Sequence, residues 1–218
     1  MIDAIPDYTD LPLGRFLDKV ASREPAPGGG ASAAVTVALA AALTSMAARF
    51  STDHLTDAET IADKAEELRS RVMPLARADA AAYGRVLDAY RTPRHDEEGR
   101  SRKIREALSE AADVPLSIAE IGAVVAGNAA RLAEEGNPNL RGDAVTAAAL
   151  AEAGVRAAAT LVEINVSAGG ADSGRLSRLT SFSLQRSPRR RSSKAPECRP
   201  AVRHGCQPHR RPPPGRRT

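Results

Sequence analysis

The segment from Pro25 to Phe50 constrains this chain more than any other, because it joins a glycine-rich turn to an alanine-rich run. It begins PAPGGGAS at residues 25–32. The two prolines keep the entry extended, and the three glycines allow a tight turn whose N–H groups are not covered by side chains. Residues 31–48 then contain nine alanines and no Gly or Pro. This run predicts a buried helix that is thin enough for close helix packing.

The start of that helix is a candidate binding site. Its first N–H groups have no partner within the helix, and the helix dipole adds a partial positive charge there. These properties suit a ligand carboxylate or phosphate. The simpler alternative is a glycine-rich turn that leads into a core helix. The residues by themselves leave both interpretations open.

The remaining pattern predicts an all-α fold, a small helical bundle of about five to six helices. Apolar residues recur at helical spacing, and no alternating strand pattern is present. We expect the long third helix to continue through Pro74 with a kink, because its apolar stripe resumes in phase. The predicted helices span residues 11–23, 31–48, 57–90, 101–112, 113–135 and 140–168, with Asp113 as the N-cap of the fifth.

The charge divides the chain into two parts. Residues 173–218 hold 12 Arg and one Lys against one acidic residue, whereas residues 1–172 carry a net charge of −8. We expect residues 1–172 to form the helical domain and residues 173–218 to be a disordered basic tail. The change of composition is abrupt, and we hypothesise that the tail is a frameshifted C-terminus. Both cysteines, Cys198 and Cys206, lie in it, so the body has no cysteine metal site.

The composition also excludes some classes of function. No run of about 18 wholly apolar residues indicates a membrane span, and residues 1–10 lack the basic start and apolar centre of a signal peptide. We therefore expect a cytoplasmic protein that does not bind membranes. The acidic body argues against a nucleic-acid partner.

Asp79 and Asp143 are carboxylates on helix faces that are otherwise apolar. A carboxylate that faces a bundle interior is costly unless it is paired, and partial burial raises its pKa in a way that suits acid–base catalysis. The alternative is that each caps a neighbouring helix or pairs with a buried Arg. For Asp143, a favourable position in the first helical turn is also sufficient.

Two asparagines are further candidates. Asn139 lies four residues before Asp143, and is either the N-cap of the last helix or a ligand contact. Asn165 lies on the buried side of the same helix, as a satisfied core polar group or a binding contact.

Four segments occur in an order that resembles a known family. They read PAPGGGASA, ARADAAAYGRVLDAYR, DVPLSIAE and GNPNLRGDAVTAAALAEAGVRAAATLVEIN. Over about residues 10–168 the chain resembles the cyclodeaminase/cyclohydrolase family, which includes the C-terminal half of formiminotransferase-cyclodeaminase and bacterial methenyltetrahydrofolate cyclohydrolases. The resemblance implies a small all-α bundle that works as a homodimer on a tetrahydrofolate substrate.

The resemblance also implies an activity and a set of site residues. The expected reaction is hydrolysis of 5,10-methenyltetrahydrofolate to 10-formyltetrahydrofolate, or release of ammonia from 5-formiminotetrahydrofolate. Neither reaction needs a metal or a redox cofactor. A folate- or anion-binding helical dimer without turnover is the alternative. The implied catalytic residues are Asp79 and Asp143, and the implied folate contacts are Pro27, Gly28, Gly29, Gly30, Asn139 and Asn165.

Overall fold

The computed structural model describes residues 7–93, 97–170, 174–175 and 177–178. All of them belong to one unit, Met1–Pro188. The described residues form six long helices and no strand, which confirms the predicted all-α bundle. The helices are α1 (Leu13–Val20), α2 (Gly29–Arg49), α3 (Ala58–Tyr90), α4 (Glu97–Ala111), α5 (Asp113–Glu135) and α6 (Arg141–Gly169).

The helix boundaries follow the predicted ones closely. Helix α3 runs unbroken through Pro74, whose ring is exposed. Helix α4 begins at Glu97, earlier than predicted, and α2 begins within the glycine run at Gly29. Short 3-10 helices at Tyr8–Asp10 and Pro138–Leu140 precede α1 and α6.

Helix α2 is the centre of the bundle and packs against α3, α5 and α6. Its Val37 is fully buried, and two glycines on the neighbouring helices make room for it. A Cβ added to Gly122 of α5 would lie 3.2 Å from Val37 Cγ2, and one added to Gly154 of α6 would lie 2.5 Å from the same atom. Close packing around α2 thus depends on glycines of α5 and α6 as well as on the buried alanines of α2 that the sequence predicts.

The beginning of α6 is tied to the end of α2 by a buried polar contact. Ser51 is only 1% exposed. Its Oγ accepts a hydrogen bond from the N–H of Asn137 at 2.9 Å and donates one to the carbonyl of Ala47 at 2.7 Å. The amide of Asn137 donates to the carbonyl of Phe50 at 2.9 Å. These bonds fix where α6 starts, because Asn137 of the preceding loop is anchored to the end of α2 by two hydrogen bonds.

Part of the surface is apolar. Gly29–Arg49, Glu97–Glu135 and Pro138–Gly169 are long and apolar enough, by length and composition alone, to cross a membrane. In α2 most of this apolar character is used inside the bundle, since 61% of its most apolar window is buried. The prediction that the protein does not bind membranes stays a prediction.

Four residues of the predicted tail are described, and they are helical. The guanidinium of Arg175 donates to both carboxylate oxygens of Asp113, at 2.8 and 3.1 Å, and Arg178 pairs with Glu120. The other residues of the tail lie outside the described part of the chain. Its disorder and its frameshifted origin therefore stay predictions.

Candidate active site

A cavity of about 290 Å³ opens at the start of α2. The backbone of Gly28–Gly30 forms one side of it, and α3 contributes Asp79 and Tyr83. Helix α6 contributes Leu161 and Asn165, and the end of α4 closes the cavity with small and aliphatic residues. Most of the lining is apolar, so the few polar groups decide which ligand fits.

Asp79 lies against the first turn of α2. Its half-buried carboxylate accepts a hydrogen bond from the backbone N–H of Ala31 and also lines the cavity. Burial raises the pKa of Asp79 above the usual value of 3.8, and the Ala31 bond opposes that rise only in part. Asp79 therefore caps a neighbouring helix, which was one of its two predicted roles, while remaining accessible to a ligand.

This contact changes the interpretation of the helix start. The sequence indicates unpaired N–H groups that suit a ligand anion, but one of them is already paired with a carboxylate of the same chain. The Asp79 carboxylate of α3 thus provides part of the negative charge that a helix N-terminus favours. Gly29 and Gly30 line the cavity beside this contact.

The three glycines differ in how much space a side chain would have at each position. A Cβ on Gly30 would overlap the carboxylate of Asp79, whereas one on Gly28 would meet nothing within 4 Å. At Gly29 the nearest atom would be Leu161 Cδ1 at 3.8 Å, an ordinary contact. None of the three has a positive φ, so no left-handed backbone conformation requires glycine at these positions. What requires glycine is the close approach of Asp79 to position 30.

Asn165 enters the cavity from the end of α6. Its Nδ2 donates to the carbonyl of Ala111 at 3.2 Å, which ties α6 to the last residue of α4. Among the described residues no second hydrogen bond engages this side chain, so Oδ1 stays available as an acceptor. Asn165 therefore combines the two roles considered for it, as a core contact through one atom and a candidate ligand contact through the other.

The other predicted contacts do not lie around this cavity. Pro27 is buried and contributes no atom to the lining, and a cis peptide bond joins it to Ala26. Asn139 is exposed and Asp143 is half-buried, both at the beginning of α6. Because α6 rises 1.5 Å per residue, Asp143 lies about 33 Å along the helix from Asn165. Within one chain the two predicted catalytic carboxylates do not meet.

The capping role considered for Asn139 is not realised. The N-cap of α6 is Leu140, without a side-chain bond, and the side chain of Asn137 caps the preceding 3-10 helix by accepting the N–H of Asn139 at 3.0 Å. The side chain of Asn139 is left exposed.

Tyr83 is an aromatic residue of the cavity that the sequence did not indicate as a site residue. It belongs to the apolar stripe of α3, which predicts a core position, yet 45% of it is exposed. Its spacing of four residues from Asp79 was the available signal, since residues i and i+4 share a helix face.

Comparison with known proteins agrees with this fold. A family model described as formiminotransferase-cyclodeaminase matches residues 12–174. The chain is 37% identical over 159 residues to a methenyltetrahydrofolate cyclohydrolase of Methylorubrum extorquens, which covers 69% of this chain and 76% of that protein. It is 33% identical over 166 residues to the rat formimidoyltransferase-cyclodeaminase, of which it spans 31%.

A solved structure is also similar. Formiminotetrahydrofolate cyclodeaminase from Thermotoga maritima superposes with a TM-score of 0.72 at 31% identity, covering 81% of this chain and 90% of that one.

Proposed function

This chain belongs to the formiminotransferase-cyclodeaminase family, and from this premise we propose that it is a folate one-carbon enzyme. The reaction that we assign to it is hydrolysis of 5,10-methenyltetrahydrofolate to 10-formyltetrahydrofolate. The 37% identity to a methenyltetrahydrofolate cyclohydrolase, most of whose length the chain covers, supports this choice. The second candidate is the release of ammonia from 5-formiminotetrahydrofolate, favoured by the likeness to the Thermotoga maritima cyclodeaminase.

The observation that carries the proposal is the carboxylate of Asp79 in the apolar cavity. Burial raises the pKa of Asp79, and a carboxylate with a raised pKa is a stronger base when it is ionised. Asp79 is thus suited to take a proton from the water that attacks the carbon between N5 and N10. Its bond to Ala31 holds the carboxylate in place for this step.

The chemistry balances with this one general base. The oxygen of water bonds to the bridging carbon while Asp79 takes a proton, which gives a neutral carbinolamine. The bond from carbon to N5 then breaks as the carbinolamine hydroxyl becomes the formyl carbonyl, the hydroxyl proton is transferred to N5, and the formyl group stays on N10. The reaction consumes one water and releases one proton, and the oxidation level of the carbon is unchanged. We therefore propose that the enzyme needs no metal and no redox cofactor.

Two other parts of the cavity suit a folate. Oδ1 of Asn165 is an acceptor for an N–H of the substrate, and the backbone of Gly28 and Gly29 leaves room close to the helix start because neither residue carries a side chain. In this proposal Asn165 orients the ring and Asp79 acts on the bridging carbon.

We also propose that the enzyme is a homodimer whose second chain completes the site. The length of α6 separates Asn139 and Asp143 from the cavity of their own chain, so only a second chain can bring these residues to it. Helix α2 carries a solvent-facing apolar stripe that suits such a contact. The α2 stripe consists of Val35, Leu39, Leu43, Met46 and Phe50, and of these Leu39 is 53% and Phe50 62% exposed. A cytoplasmic location stays a prediction.

The test is a spectrophotometric assay of 5,10-methenyltetrahydrofolate decay with purified protein. We expect decay faster than in buffer, with 10-formyltetrahydrofolate as the product. If methenyltetrahydrofolate is unaffected, ammonia release from 5-formiminotetrahydrofolate is measured next. Binding of both folates without turnover of either would contradict the proposed enzymatic activity and favour the alternative, a folate-binding helical dimer.

A further inference from the structure

Tyr83 is the aromatic residue of the cavity. Among the described residues the other aromatic rings are engaged elsewhere or lie outside the cavity. Tyr8 and Phe16 pack edge to face with ring centroids 5.8 Å apart, and the guanidinium of Arg100 lies 6.0 Å from the ring centroid of Tyr90. Tyr83 has no ring partner, cation or hydrogen bond among the described residues, and 45% of it is exposed. A large ring with no partner at a cavity is available to a ligand.

The position of Tyr83 relative to Asp79 limits what that ligand is. The two residues are four apart on α3, so their Cβ atoms are about 6 Å apart on the same face. The remaining lining nearby is aliphatic and includes Val86, Leu161 and Ile164. A ring that lies on Tyr83 therefore has its edge within reach of the Asp79 carboxylate.

We propose that Tyr83 is a specificity-determining residue whose ring packs against the bicyclic pterin ring of the substrate. This inference rests on the proposed function, since the pterin ring carries N5, one of the two nitrogens that hold the reacting carbon. A pterin on Tyr83 leaves that carbon beside Asp79, one helical turn away. Packing between the rings, and not the phenolic hydroxyl, supplies the interaction.

The test measures binding of two fragments of the substrate by NMR titration, so that it does not depend on turnover. The fragments are 6-methyltetrahydropterin, which contains the ring, and p-aminobenzoylglutamate, which does not. We expect Tyr83→Leu to weaken binding of the pterin fragment about tenfold. Its affinity for p-aminobenzoylglutamate should match that of the wild type. Tyr83→Phe keeps the ring and should restore most of the pterin affinity.

Tyr90→Leu is the matched control, because it makes the same change on the same helix outside the cavity. It should bind both fragments as the wild type does. Equal pterin affinity in Tyr83→Leu and the wild type would overturn the inference, as would a Tyr83→Phe variant as weak as Tyr83→Leu. Loss of both fragments in Tyr83→Leu together with a lowered melting temperature would also overturn it, because the role would then be structural.

The same measurements separate this inference from the proposed function. Pterin binding that depends on Tyr83, in a protein that turns over neither folate, would overturn the activity and retain the ring contact. Turnover by the wild type with unchanged KM in Tyr83→Leu would retain the activity and overturn the ring contact. Failure of the wild type to bind either fragment or to turn over either folate would overturn both.

Discussion

The carboxylate of Asp79 occupies the space beside Gly30 that any side chain at position 30 would need. The same carboxylate accepts the N–H of Ala31, the next residue of α2. At this point the two helices meet through a contact that needs both an acid on α3 and a glycine on α2. This contact places the candidate general base at the mouth of the cavity, and it depends on both helices remaining in register.

Gly30→Ala tests this contact. The added methyl group forces either Asp79 or the first turn of α2 to move, so we expect a loss of about 1–3 kcal/mol of stability. Turnover should fall as well, because the carboxylate is displaced from its bond with Ala31. Thermal unfolding and the methenyltetrahydrofolate assay measure the two effects.

Gly127→Ala is the control for that variant. Gly127 is exposed on α5, and a Cβ there would meet nothing within 4 Å. An Ala in a helix interior is favoured over Gly, so this variant should gain about 0.5–1 kcal/mol. Equal stability of Gly30→Ala and Gly127→Ala would show that position 30 does not need glycine.

Asp79→Asn removes the proposed base and keeps the size of the side chain. We expect turnover to fall about 10²- to 10⁴-fold while the protein stays folded. In the wild type, kcat/KM should rise with pH through the pKa of Asp79, with a midpoint above the usual carboxyl value of 3.8. A wild-type profile that is flat across this range, or full turnover by Asp79→Asn, would contradict the assignment.

The same variant has a predicted effect on stability. Because the folded state raises the pKa of Asp79, it binds the proton more tightly than the unfolded chain does. This contribution is complete below the unfolded pKa and is lost as the pH rises through the folded pKa. Wild-type protein should therefore lose stability relative to Asp79→Asn across that window. Unfolding curves of both proteins from pH 3 to pH 8, a window spanning about one unit below and several above an ordinary carboxyl pKa, measure the difference.

Local patterns in the sequence were sufficient to predict the helices, but they were not sufficient to predict where along the bundle the site lies. Periodicity places Asp79 on the inner face of α3 and Asp143 on the apolar side of α6, and both helices form where predicted. Periodicity reports direction around a helix axis and says little about position along the bundle. It therefore could not show which end of α6 lies beside Asp79, although the wide separation of Asp143 and Asn165 along α6 follows from their residue numbers.

Tyr83 is a second residue whose surroundings could not be predicted from periodicity. An aromatic residue in an apolar stripe is usually core, and only the packing of α4 and α6 around it reveals that a cavity remains there. The sequence likewise indicates that Gly30 is a turn residue. The structure shows that glycine is required there by the side chain of Asp79, which lies 49 positions later in the chain. Contacts of this kind depend on the tertiary structure, which a single sequence does not display.

A mixed dimer tests whether two chains share the site. Asp79→Asn and Asp143→Asn chains with different tags are coexpressed, and the dimer that carries both tags is purified. If Asp79 of one chain works with Asp143 of the other, one of the two sites is intact and about half of the wild-type turnover returns. Each variant alone should be nearly inactive. No recovery in the mixed dimer, or full turnover by Asp143→Asn, would contradict a shared site that uses Asp143.

Leu39→Glu tests the surface proposed for that dimer. Leu39 is 53% exposed at the centre of the α2 stripe, so a buried charge there would oppose association more than it would disturb the fold of one chain. Light scattering after size-exclusion chromatography should show a dimer for the wild type and a monomer for the variant. The monomeric variant should also have a lower turnover than the dimeric wild type. Leu13→Glu on α1 is the control, since Leu13 is 66% exposed and lies outside the α2 stripe. It should remain dimeric and active. If both variants remain dimeric, the interface is elsewhere, and if the wild type is a monomer that turns over its folate, the second chain is not needed.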